Sequence, residues 1–480
     1  MNTKIYYLFI FVTISIFGIS AQSPKSAIEQ LTANKQLQHA SIGFCVKDFT
    51  GKEIASLNSH QSRTPASVLK TITTASALEL LGGDYRYKTT LAKDKNKENH
   101  LLIYGSGDPT LGTSCLNNNP TAFLGQWLTA IKQHFDTTKI IDITIVDDIF
   151  GYDGISERWI WQDMGIQYAA PAYGISLFDN TCKLYLNTTK RDTCPTILYS
   201  EPAIDFEFTN MLTLNNIGED NGYMRGEPLS LKRLLTGNIP SGRTSFALKG
   251  DIPNPGLLLG QVLCKELQRN NIAVGSITTT HALYTANMPT NTRYWFDKEI
   301  FYTHQSPPLR DIIREINVNS NNHYAEHLIR TIGRVKDTNI YSSALKAGIE
   351  EVEELWKKRG IDTDALFMYD GCGLAPSNAV SADMLCDMLI YMQKESHNST
   401  DYLQSFPIAG RSGTVKGLLR GTRLVGKVYA KSGTIVNVRC YAGYYINGDK
   451  KYAFAIMVNN YNSPLSEVVR AIEKLLLNTF

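Results

Sequence analysis

The residues of this chain best suited to covalent chemistry are a serine and a lysine three positions apart. They belong to the first of three short motifs, which follow one another in the order Ser67-Val68-Leu69-Lys70, Ser320-Asn321-Asn322 and Lys431-Ser432-Gly433-Thr434. In that order the motifs fit the patterns S-x-x-K, S-x-N and K-[ST]-G of enzymes that acylate a serine. Because a serine needs a neighbouring base to act as a nucleophile, the set predicts acyl transfer through a covalent intermediate.

Each motif residue has a predicted role in that reaction. The Ser67 Oγ atom would attack a carbonyl carbon, with Lys70 as its base. A free lysine is protonated at neutral pH, but a second cation nearby lowers its pKa, and Lys431 is a candidate for that cation. Ser320 would bridge the two lysines and relay the proton to the leaving amine, and Asn322 would hold the substrate amide.

The third motif predicts most of the substrate contacts. Backbone N–H groups of Ser67 and Thr434 would form the oxyanion hole. The hydroxyls of Ser432 and Thr434 would bind the terminal carboxylate of the substrate. Gly433 lacks a side chain, so a substrate could approach the backbone closely there.

The three patterns are short, and the chain contains competing matches: Ser343-Ala344-Leu345-Lys346, Ser56-Leu57-Asn58, Ser396-His397-Asn398 and Arg411-Ser412-Gly413-Thr414. Local context separates the two sets. Ser67 stands at the start of an apolar helix, where the chain is rigid and the helix dipole is favourable. Ser343 begins a helix rich in Glu and Lys, where helix capping is the better interpretation. Ser56 ends a strand, and Ser396 lies in a polar turn.

The elements that must position the motifs lie towards the two ends of the chain. The early residues predict a helix, two strands and the helix that follows Ser67, at 26–37, 41–49, 53–57 and 67–81. The late residues predict three helices, three strands and a terminal helix, at 308–331, 340–359, 381–394, 424–431, 437–446, 451–459 and 464–478. The stretch 452–458 is almost continuously apolar and predicts a central strand. We expect an α/β (α+β) fold in which an antiparallel sheet is flanked by helices.

Residues from about 85 to 297 have a different character. Short apolar stretches alternate with Gly, Asn and Pro turns, which indicates mixed or mostly β structure. Because this region separates the first two motifs, we expect a large inserted region of one or two extra domains at 85–297. The catalytic domain would then consist of two parts, residues 22–84 and 298–480.

The N-terminus has the pattern of a secretory signal peptide. Lys4 is followed by an apolar run from Ile5 to Ile19 and then by Ser20-Ala21-Gln22. A positive start, an apolar centre and small residues at the end predict cleavage after Ala21, so residues 1–21 would be removed and the protein exported. An uncleaved membrane anchor is the alternative, although the run is short for spanning a bilayer.

Composition and charge exclude some classes of function. The 480-residue chain is 43% hydrophobic and 19% charged, with a formal net charge of +3. This charge is too weak to indicate a nucleic-acid partner. The eight cysteines are scattered without a metal-binding spacing, so no metal site and no cofactor is expected. Cys182 and Cys194 flank a segment rich in turn formers and could form a disulfide.

Longer blocks extend around and between the motifs: Pro65-Ala66-Ser67-Val68-Leu69-Lys70, Gly105-Ser106-Gly107-Asp108-Pro109, Trp159-Ile160-Trp161-Gln162-Asp163, Tyr168-Ala169-Ala170-Pro171, Ser320-Asn321-Asn322-His323-Tyr324-Ala325-Glu326, Asp370-Gly371-Cys372-Gly373-Leu374 and Phe406-Pro407-Ile408-Ala409-Gly410. In content and order these blocks resemble the class C low-molecular-mass penicillin-binding proteins, the D-alanyl-D-alanine carboxypeptidase/endopeptidase family. The resemblance covers nearly the whole mature chain.

The resemblance implies a penicillin-recognising serine transpeptidase-like domain with two extra domains inserted between the first two motifs. It implies an exported, periplasmic enzyme that trims peptidoglycan stem peptides or cuts their cross-links through an acyl-enzyme on Ser67. Peptidoglycan peptides are then the expected partners, and β-lactam antibiotics are expected covalent inhibitors. No transmembrane segment is expected after signal removal, and peripheral contact with a membrane is compatible with this view.

One block departs from the family pattern. Members usually read D-G-S-G-L-S-R where this chain has Asp370-Gly371-Cys372-Gly373-Leu374-Ala375-Pro376. Pro376 therefore replaces an arginine that members can use to bind the substrate side chain, so side-chain specificity does not carry over. Ser432 replaces a common threonine and keeps the hydroxyl.

Two other functions stay open from the sequence. A serine β-lactamase uses the same acyl-enzyme chemistry, but the long insertion and the lack of an evident deacylating Glu motif disfavour it. A catalytically silent cell-wall-binding protein is disfavoured by the intact set of motif residues.

Two aromatic pairs have competing interpretations. His323 and His327 have the i, i+4 spacing of a metal pair, but no third ligand is evident, so we expect hydrogen-bonded histidines at the surface or behind the site. Trp159 and Trp161 are interpreted as core residues rather than as a platform for a glycan.

Overall fold

The computed structural model describes residues 24–190, 194–287 and 296–480. The predicted signal peptide, residues 1–21, lies outside this part of the chain. Within the described residues, no helix is both long and apolar enough to cross a membrane. The α-helices in this part of the chain are α1 (Pro24–Thr32), α2 (Lys70–Leu81), α3 (Ala122–His134), α4 (Pro255–Arg269), α5 (Thr280–Asn287), α6 (Leu309–Asn319), α7 (Asn322–Lys336), α8 (Ala344–Lys358), α9 (Ala382–Lys394), α10 (Ser399–Ser405) and α11 (Leu465–Thr479).

The strands of the described residues are β1 (Ser41–Asp48), β2 (Glu53–Leu57), β3 (Lys88–Asp94), β4 (His100–Tyr104), β5 (Ile141–Val146), β6 (Thr181–Asn187), β7 (Thr196–Glu201), β8 (Glu207–Asn210), β9 (Thr213–Asn215), β10 (Asn221–Arg225), β11 (Lys232–Pro240), β12 (Phe246–Asp251), β13 (Val274–Thr279), β14 (Lys298–Gln305), β15 (Val428–Ile435), β16 (Val438–Asn447) and β17 (Lys450–Asn459). Four sheets result, with the orders β15-β16-β17-β1-β2, β13-β5-β4-β3-β14, β12-β6-β7 and β10-β11-β8, where β9 also pairs with β11.

The first sheet joins the two ends of the chain, and all of its pairings are antiparallel. The apolar strand β17 lies at its centre, as the sequence predicts. Alternate side chains of a strand point to opposite faces. Accordingly, Phe454 and Ile456 pack in one core with α1 and α11. Ala455 and Met457 pack in a second core, on the other face of the sheet, that includes α2 and α9. The predicted sheet flanked by helices is confirmed.

Helix α2, which begins at Lys70, lies deep in the second of these cores. Its residues from Lys70 to Leu78 are all buried, including several threonines and a serine. The hydroxyls are accommodated because they donate to backbone carbonyls, Thr74 to Lys70 O and Ser76 to Ile72 O one turn earlier, and Thr73 to Gly371 O of a distant segment. A helix buried on all sides is a rigid base for the first motif.

The other three sheets are formed entirely by residues between the first and second motifs, β14 included. They share a separate apolar core with α3 and α4. Parallel pairs, β4 with β5, β5 with β13 and β8 with β11, occur beside antiparallel ones. The predicted mixed, mostly β structure is confirmed. Strand β14, just beyond position 297, pairs with β3. The division of the chain into domains stays a prediction.

The cysteines are all free in the structure. Cys182 is buried in β6 and its thiol donates to Asp251 O at 3.3 Å, whereas the Cys194 thiol donates to Asn210 O at 3.3 Å. The suggested disulfide between them is therefore wrong, because the two side chains face different backbone carbonyls.

Candidate active site

The first motif lies in a single turn of 3₁₀ helix, Ala66–Leu69, which leads into α2. Residues three positions apart in such a turn lie on the same side, and the Lys70 Nζ atom accordingly donates to Ser67 Oγ at 2.9 Å. Ala66, just before the serine, has a φ of 46°, which is unusual for a residue with a side chain. Such strain is typical of active sites and persists only when the surroundings enforce it.

Two glycines pack directly against this strained backbone. A Cβ atom on Gly373 would lie 2.0 Å from Ala66 O, and one on Gly433 would lie 2.4 Å from Pro65 O. Either would also lie 3.1 Å from the Ser67 nitrogen. Glycine is therefore required at both positions so that two other segments can pack directly against the backbone that carries Ser67.

Lys70 is completely buried, and its ammonium group has three hydrogen-bond acceptors. Besides Ser67 Oγ, it donates to Asn322 Oδ1 and to Cys372 O, each at 2.6 Å. Burial lowers the pKa of Lys70, while the neighbouring Cys372, Asp370 and Glu326 act in the opposite direction. A lysine with a lowered pKa is a stronger candidate for a base near neutral pH.

The second motif occupies a break between α6 and α7, where the sequence predicts one helical stretch. Ser320 ends α6 with left-handed backbone angles of φ 61° and ψ 39°. Asn321 then caps α7 by accepting from Tyr324 N. The break directs two side chains into the site, because Asn322 contacts Lys70 and Ser320 Oγ accepts from Lys431 at 2.8 Å.

The third motif lies on β15, an edge strand of the five-stranded sheet. Lys431 is fully buried and also donates to Ser432 O at 2.7 Å. Burial, then the charges of Lys70 and Arg439, lower the pKa of Lys431 well below its ordinary value. The Ser432 hydroxyl donates to Thr414 Oγ1 at 2.8 Å, and Arg439 donates to Thr434 Oγ1.

The structure thus brings the predicted catalytic side chains together as two pairs, with a hydrogen bond within each pair. Ser67 bonds to Lys70, and Ser320 bonds to Lys431. Asn322 joins the first pair and also donates to Tyr168 O at 2.8 Å, which connects it to the region between the motifs. Among the described hydrogen bonds, Ser320 contacts one of the two lysines rather than bridging both.

The competing motif matches have other roles. Ser343 accepts from Lys346 N and caps α8, as expected. The Ser56 hydroxyl donates to Glu53. Thr414, which belongs to the arginine-containing imitation of the third motif, contacts Ser432 and so lies beside the site. Sequence reasoning set this motif aside as a whole and therefore missed Thr414.

A cleft of about 520 Å³ opens in front of Ser67. Residues of all three motifs line it, and so does Pro376, whose position the family resemblance places beside the substrate. The other lining residues were not assigned to the site from the sequence: Ile160, Gln162, Asp163, Tyr168, Gly373, Leu374, Ile435 and Val436. Of the described lining residues, Asp163 alone has a charged side chain. Its carboxylate accepts from Tyr168 at 2.8 Å, and burial raises its pKa. Pro376 thus stands on the cleft wall, where the family resemblance implies a cation.

Two buried carboxylates lie behind Lys70. Asp370 accepts from the backbone of Gly373 and Ala375 at 2.7 and 2.6 Å, and from Trp159 Nε1 at 2.9 Å. Glu326 accepts from Gly371 N at 2.7 Å and pairs with Arg330 at 2.6 Å. These bonds fix the loop whose Cys372 carbonyl contacts Lys70. Both residues belong to the longer sequence blocks that resemble the family, but no motif spacing assigned them a role.

The cluster of Glu326, Asp370 and Cys372 has the proximity of a metal site. However, the carboxylate oxygens already accept N–H groups, and Arg330 and Lys70 supply positive charge. A further cation would be repelled, so these residues do not fit a metal ion.

The two aromatic pairs differ from their predictions in part. His323 and His327 are hydrogen-bonded as predicted, and of the two predicted positions, at the surface or behind the site, their burial excludes the surface. His323 bonds to Ser176 at 2.8 Å and His327 to Gly107 O at 2.7 Å. Burial lowers the pKa of His323 to about 4, so its ring is neutral at ordinary pH. Trp159 is a core residue as predicted, whereas Trp161 is 58% exposed, and its assignment to the core is wrong.

Known proteins are similar to this chain over most of its length. A family model described as the D-Ala-D-Ala carboxypeptidase 3 (S13) family matches residues 25–478. The chain is 26% identical over 458 residues to a D-alanyl-D-alanine carboxypeptidase of Actinomadura sp., covering 91% of this chain and 81% of that protein. It is 22% identical over 447 residues to the D-alanyl-D-alanine carboxypeptidase DacB of Haemophilus influenzae, covering 88% and 86% of the two chains.

A solved structure gives the same architecture. Penicillin binding protein 4 (dacB) from Haemophilus influenzae superposes with a TM-score of 0.76 at 21% identity, covering 94% of this chain and 99% of that one. The likeness confirms the penicillin-recognising fold that the sequence resemblance implies.

Proposed function

The chain belongs to the D-Ala-D-Ala carboxypeptidase 3 (S13) family, and from this premise we propose that the cleft at Ser67 is where it hydrolyses D-Ala-D-Ala peptides. It is a serine D-alanyl-D-alanine carboxypeptidase. The observation that carries the assignment of the site is the pair of hydrogen bonds from Lys70, to Ser67 Oγ and to Asn322 Oδ1, which join the first two motifs at the cleft.

Lys70 is the base of the acylation step. In its neutral form it accepts the Ser67 proton, and Ser67 Oγ forms a bond to the carbonyl carbon of the penultimate D-Ala. The C–N bond to the terminal D-Ala then breaks. Burial supports this role, because a lowered pKa increases the neutral fraction of Lys70 at a given pH.

Ser320 delivers the proton to the leaving amine. Because Lys431 donates to Ser320 Oγ, the serine hydroxyl hydrogen is free to point towards the cleft. The lowered pKa of Lys431 makes its proton easier to transfer, so the Ser320–Lys431 pair can supply a proton during acylation and take one from water during deacylation.

Backbone and hydroxyl groups of β15 bind the rest of the substrate. The close packing of Gly433 on Ser67 supports an oxyanion hole formed by the N–H groups of Ser67 and Thr434. Ser432 and Thr434 are the hydroxyls for the terminal carboxylate. The Arg439 guanidinium, which contacts Thr434 Oγ1, adds a positive charge on that side. Asn322 holds the peptide amide.

β-Lactams bind covalently at the same serine, because their strained ring amide is attacked like the peptide carbonyl. Peptidoglycan stem peptides and cross-links are the natural substrates in this proposal. The N-terminal signal-peptide pattern of residues 1–21 supports export, with the periplasm as the place of action.

The proposal is tested by digesting purified muropeptides and identifying the products by mass spectrometry. Loss of one alanine from monomers is expected for the carboxypeptidase reaction, and conversion of dimers to monomers for the endopeptidase reaction. If neither product forms while the protein remains folded, the proposed substrate is wrong.

A further inference from the structure

A second groove adjoins the catalytic cleft. Its volume is about 500 Å³, which is within the range of small-ligand sites. Trp161 lines this groove, whereas its chain neighbours Ile160 and Gln162 line the catalytic cleft. One short segment therefore separates the two spaces. The remaining lining residues come from β8, β10, β11 and the loop between the last two, so the groove belongs to the region between the first two motifs.

The most exposed aromatic surface of this groove is the Trp161 indole, which is 58% exposed, although its neighbour Trp159 is buried. An exposed tryptophan at the edge of a concave site is costly to leave in water and is typical of a binding surface. The flat faces of sugar rings carry C–H groups that pack on indole rings. Trp161 therefore has the shape and chemistry to stack on a pyranose.

Two arginines that line the groove each have a buried side-chain N–H group without a partner among the described residues. Arg233 lines it, is only 2% exposed and pairs with Asp251 at 2.8 Å. The Nε–H group of Arg233 has no hydrogen-bond partner among the described residues, and the same is true of Arg225 Nε. A buried donor without a partner costs free energy unless a ligand or water satisfies it. Both Nε atoms are enclosed by the protein, so an acceptor oxygen of a ligand would reach them only after the arginine side chains move.

The charges of the lining residues are mixed. Glu207 and Glu227 lie in the groove beside Arg225, Lys232 and Arg233. A polyanion would be repelled by the two glutamates, and a polycation by the basic residues. Sugar hydroxyls both donate and accept hydrogen bonds, so they can satisfy carboxylates and guanidinium groups together.

From this combination we propose that the groove behind Trp161 binds the glycan strand of peptidoglycan, with a sugar ring stacked on the indole. The proposal rests on the proposed function, because the peptide cleaved at Ser67 is attached to that glycan in the intact polymer. The segment from Ile160 to Gln162 would then separate the sugar on one side from the stem peptide on the other. Glycan binding would raise the local concentration of the peptide at the cleft.

The test measures binding of peptide-free glycan chains, made of alternating N-acetylglucosamine and N-acetylmuramic acid, by calorimetry. Trp161→Ala should weaken their binding at least about tenfold, since tryptophan is among the residues whose truncation at a binding site most often has effects of this size or larger. Trp161→Phe should retain most of the affinity because it keeps an aromatic face. Tyr341→Ala is the matched control, since Tyr341 is 50% exposed and lies outside both spaces.

A second measurement separates this proposal from the proposed function. The ratio of kcat/KM for glycan-linked stem peptides to kcat/KM for the free peptides should fall about tenfold in Trp161→Ala and stay constant in Tyr341→Ala. Absence of glycan binding by a wild-type protein that still forms the penicillin adduct would overturn the glycan proposal alone. Glycan binding without any penicillin adduct would overturn the proposed function and leave the groove assignment standing.

Discussion

The indole N–H of Trp159 donates to the Asp370 carboxylate at 2.9 Å, and both side chains are buried. Trp159 belongs to the region between the first two motifs, whereas Asp370 fixes the loop whose Cys372 carbonyl contacts Lys70. The two residues are 211 positions apart in the sequence. Through this bond, the inserted region supports the loop that positions the proposed catalytic base.

We predict that Trp159→Phe slows acylation without removing the nucleophile. Phenylalanine keeps most of the apolar packing but leaves one carboxylate oxygen without its indole donor, at a cost of about 1–3 kcal/mol in the free energy of unfolding. The melting temperature and the second-order rate of penicillin acylation should both fall. If the rate stays unchanged while stability falls, Trp159 supports the fold but not the position of Lys70.

The two S-x-x-K motifs allow a matched test of the base. Lys70→Met should lower the acylation rate by about 10²–10⁴-fold, which is the usual contribution of a general base. Lys346→Met in the competing motif should leave it unchanged, because the Lys346 backbone, not its side chain, bonds to Ser343. The measurement is the rate of adduct formation with a fluorescent penicillin. Equal losses in both variants would contradict the assignment of Lys70.

The pH dependence of acylation follows from the lowered pKa of Lys70. Acylation should become faster as the pH rises and Lys70 loses its proton, and should level off below the ordinary lysine value of 10.5. The check is a pH profile of the acylation rate for the wild-type protein. A rate that increases only near that ordinary value would show that burial does not tune the base as proposed.

Lys431→Met should stabilise the protein while reducing activity. The folded pKa of Lys431 lies well below 10.5, so at pH values between the two the unfolded chain binds more protons than the folded one. Stability in the wild type therefore rises with pH over this window, and this part of the dependence should be lost in the variant. Urea unfolding at several pH values measures the free energy of unfolding of both proteins. The same dependence on pH in the wild type and in Lys431→Met would contradict the lowered pKa.

The folded core could be predicted from the sequence where apolar patterns were strong. Strand β17 was recognisable because its residues are apolar on both faces, and Gly82 marked the end of α2. The left-handed Ser320 was not recognisable, since the helical patterns on either side of it run together. Its conformation depends on the Asn321 cap and on the contact with Lys431, which lies 111 positions away.

The residues of the site also differ in how far the sequence predicts them. Ser67, Lys70 and the second and third motifs have short fixed spacings, so their chemistry could be inferred locally. Asp370, Glu326 and Thr414 act through contacts with distant segments, and their types alone did not distinguish them from other polar residues. The exposure of Trp161 could not be predicted either, because Trp159 two positions earlier has the same side chain and is buried.

Pro376 gives a test of substrate side-chain recognition. Its carbonyl accepts from Thr64 Oγ1 at 3.2 Å, a contact that a backbone-preserving substitution retains. Pro376→Arg would add a cation to the cleft, where Asp163 is the one charged residue among the described lining residues. We predict a several-fold gain in kcat/KM for stem peptides with a free side-chain carboxylate, relative to amidated ones. If the ratio of the two kcat/KM values does not change, the side chain of the substrate does not reach position 376.

Intact-protein mass spectrometry after incubation with benzylpenicillin tests the nucleophilic role of Ser67 most directly. We predict a mass increase of one penicillin per chain, located by peptide mapping on Ser67, with slow release of the adduct. Ser67→Ala should show no adduct, while Ser343→Ala, which removes the serine of the competing motif, should be labelled like the wild type. An adduct on Ser67→Ala, or rapid turnover of nitrocefin by the wild-type protein, would contradict a D,D-peptidase that acts through Ser67.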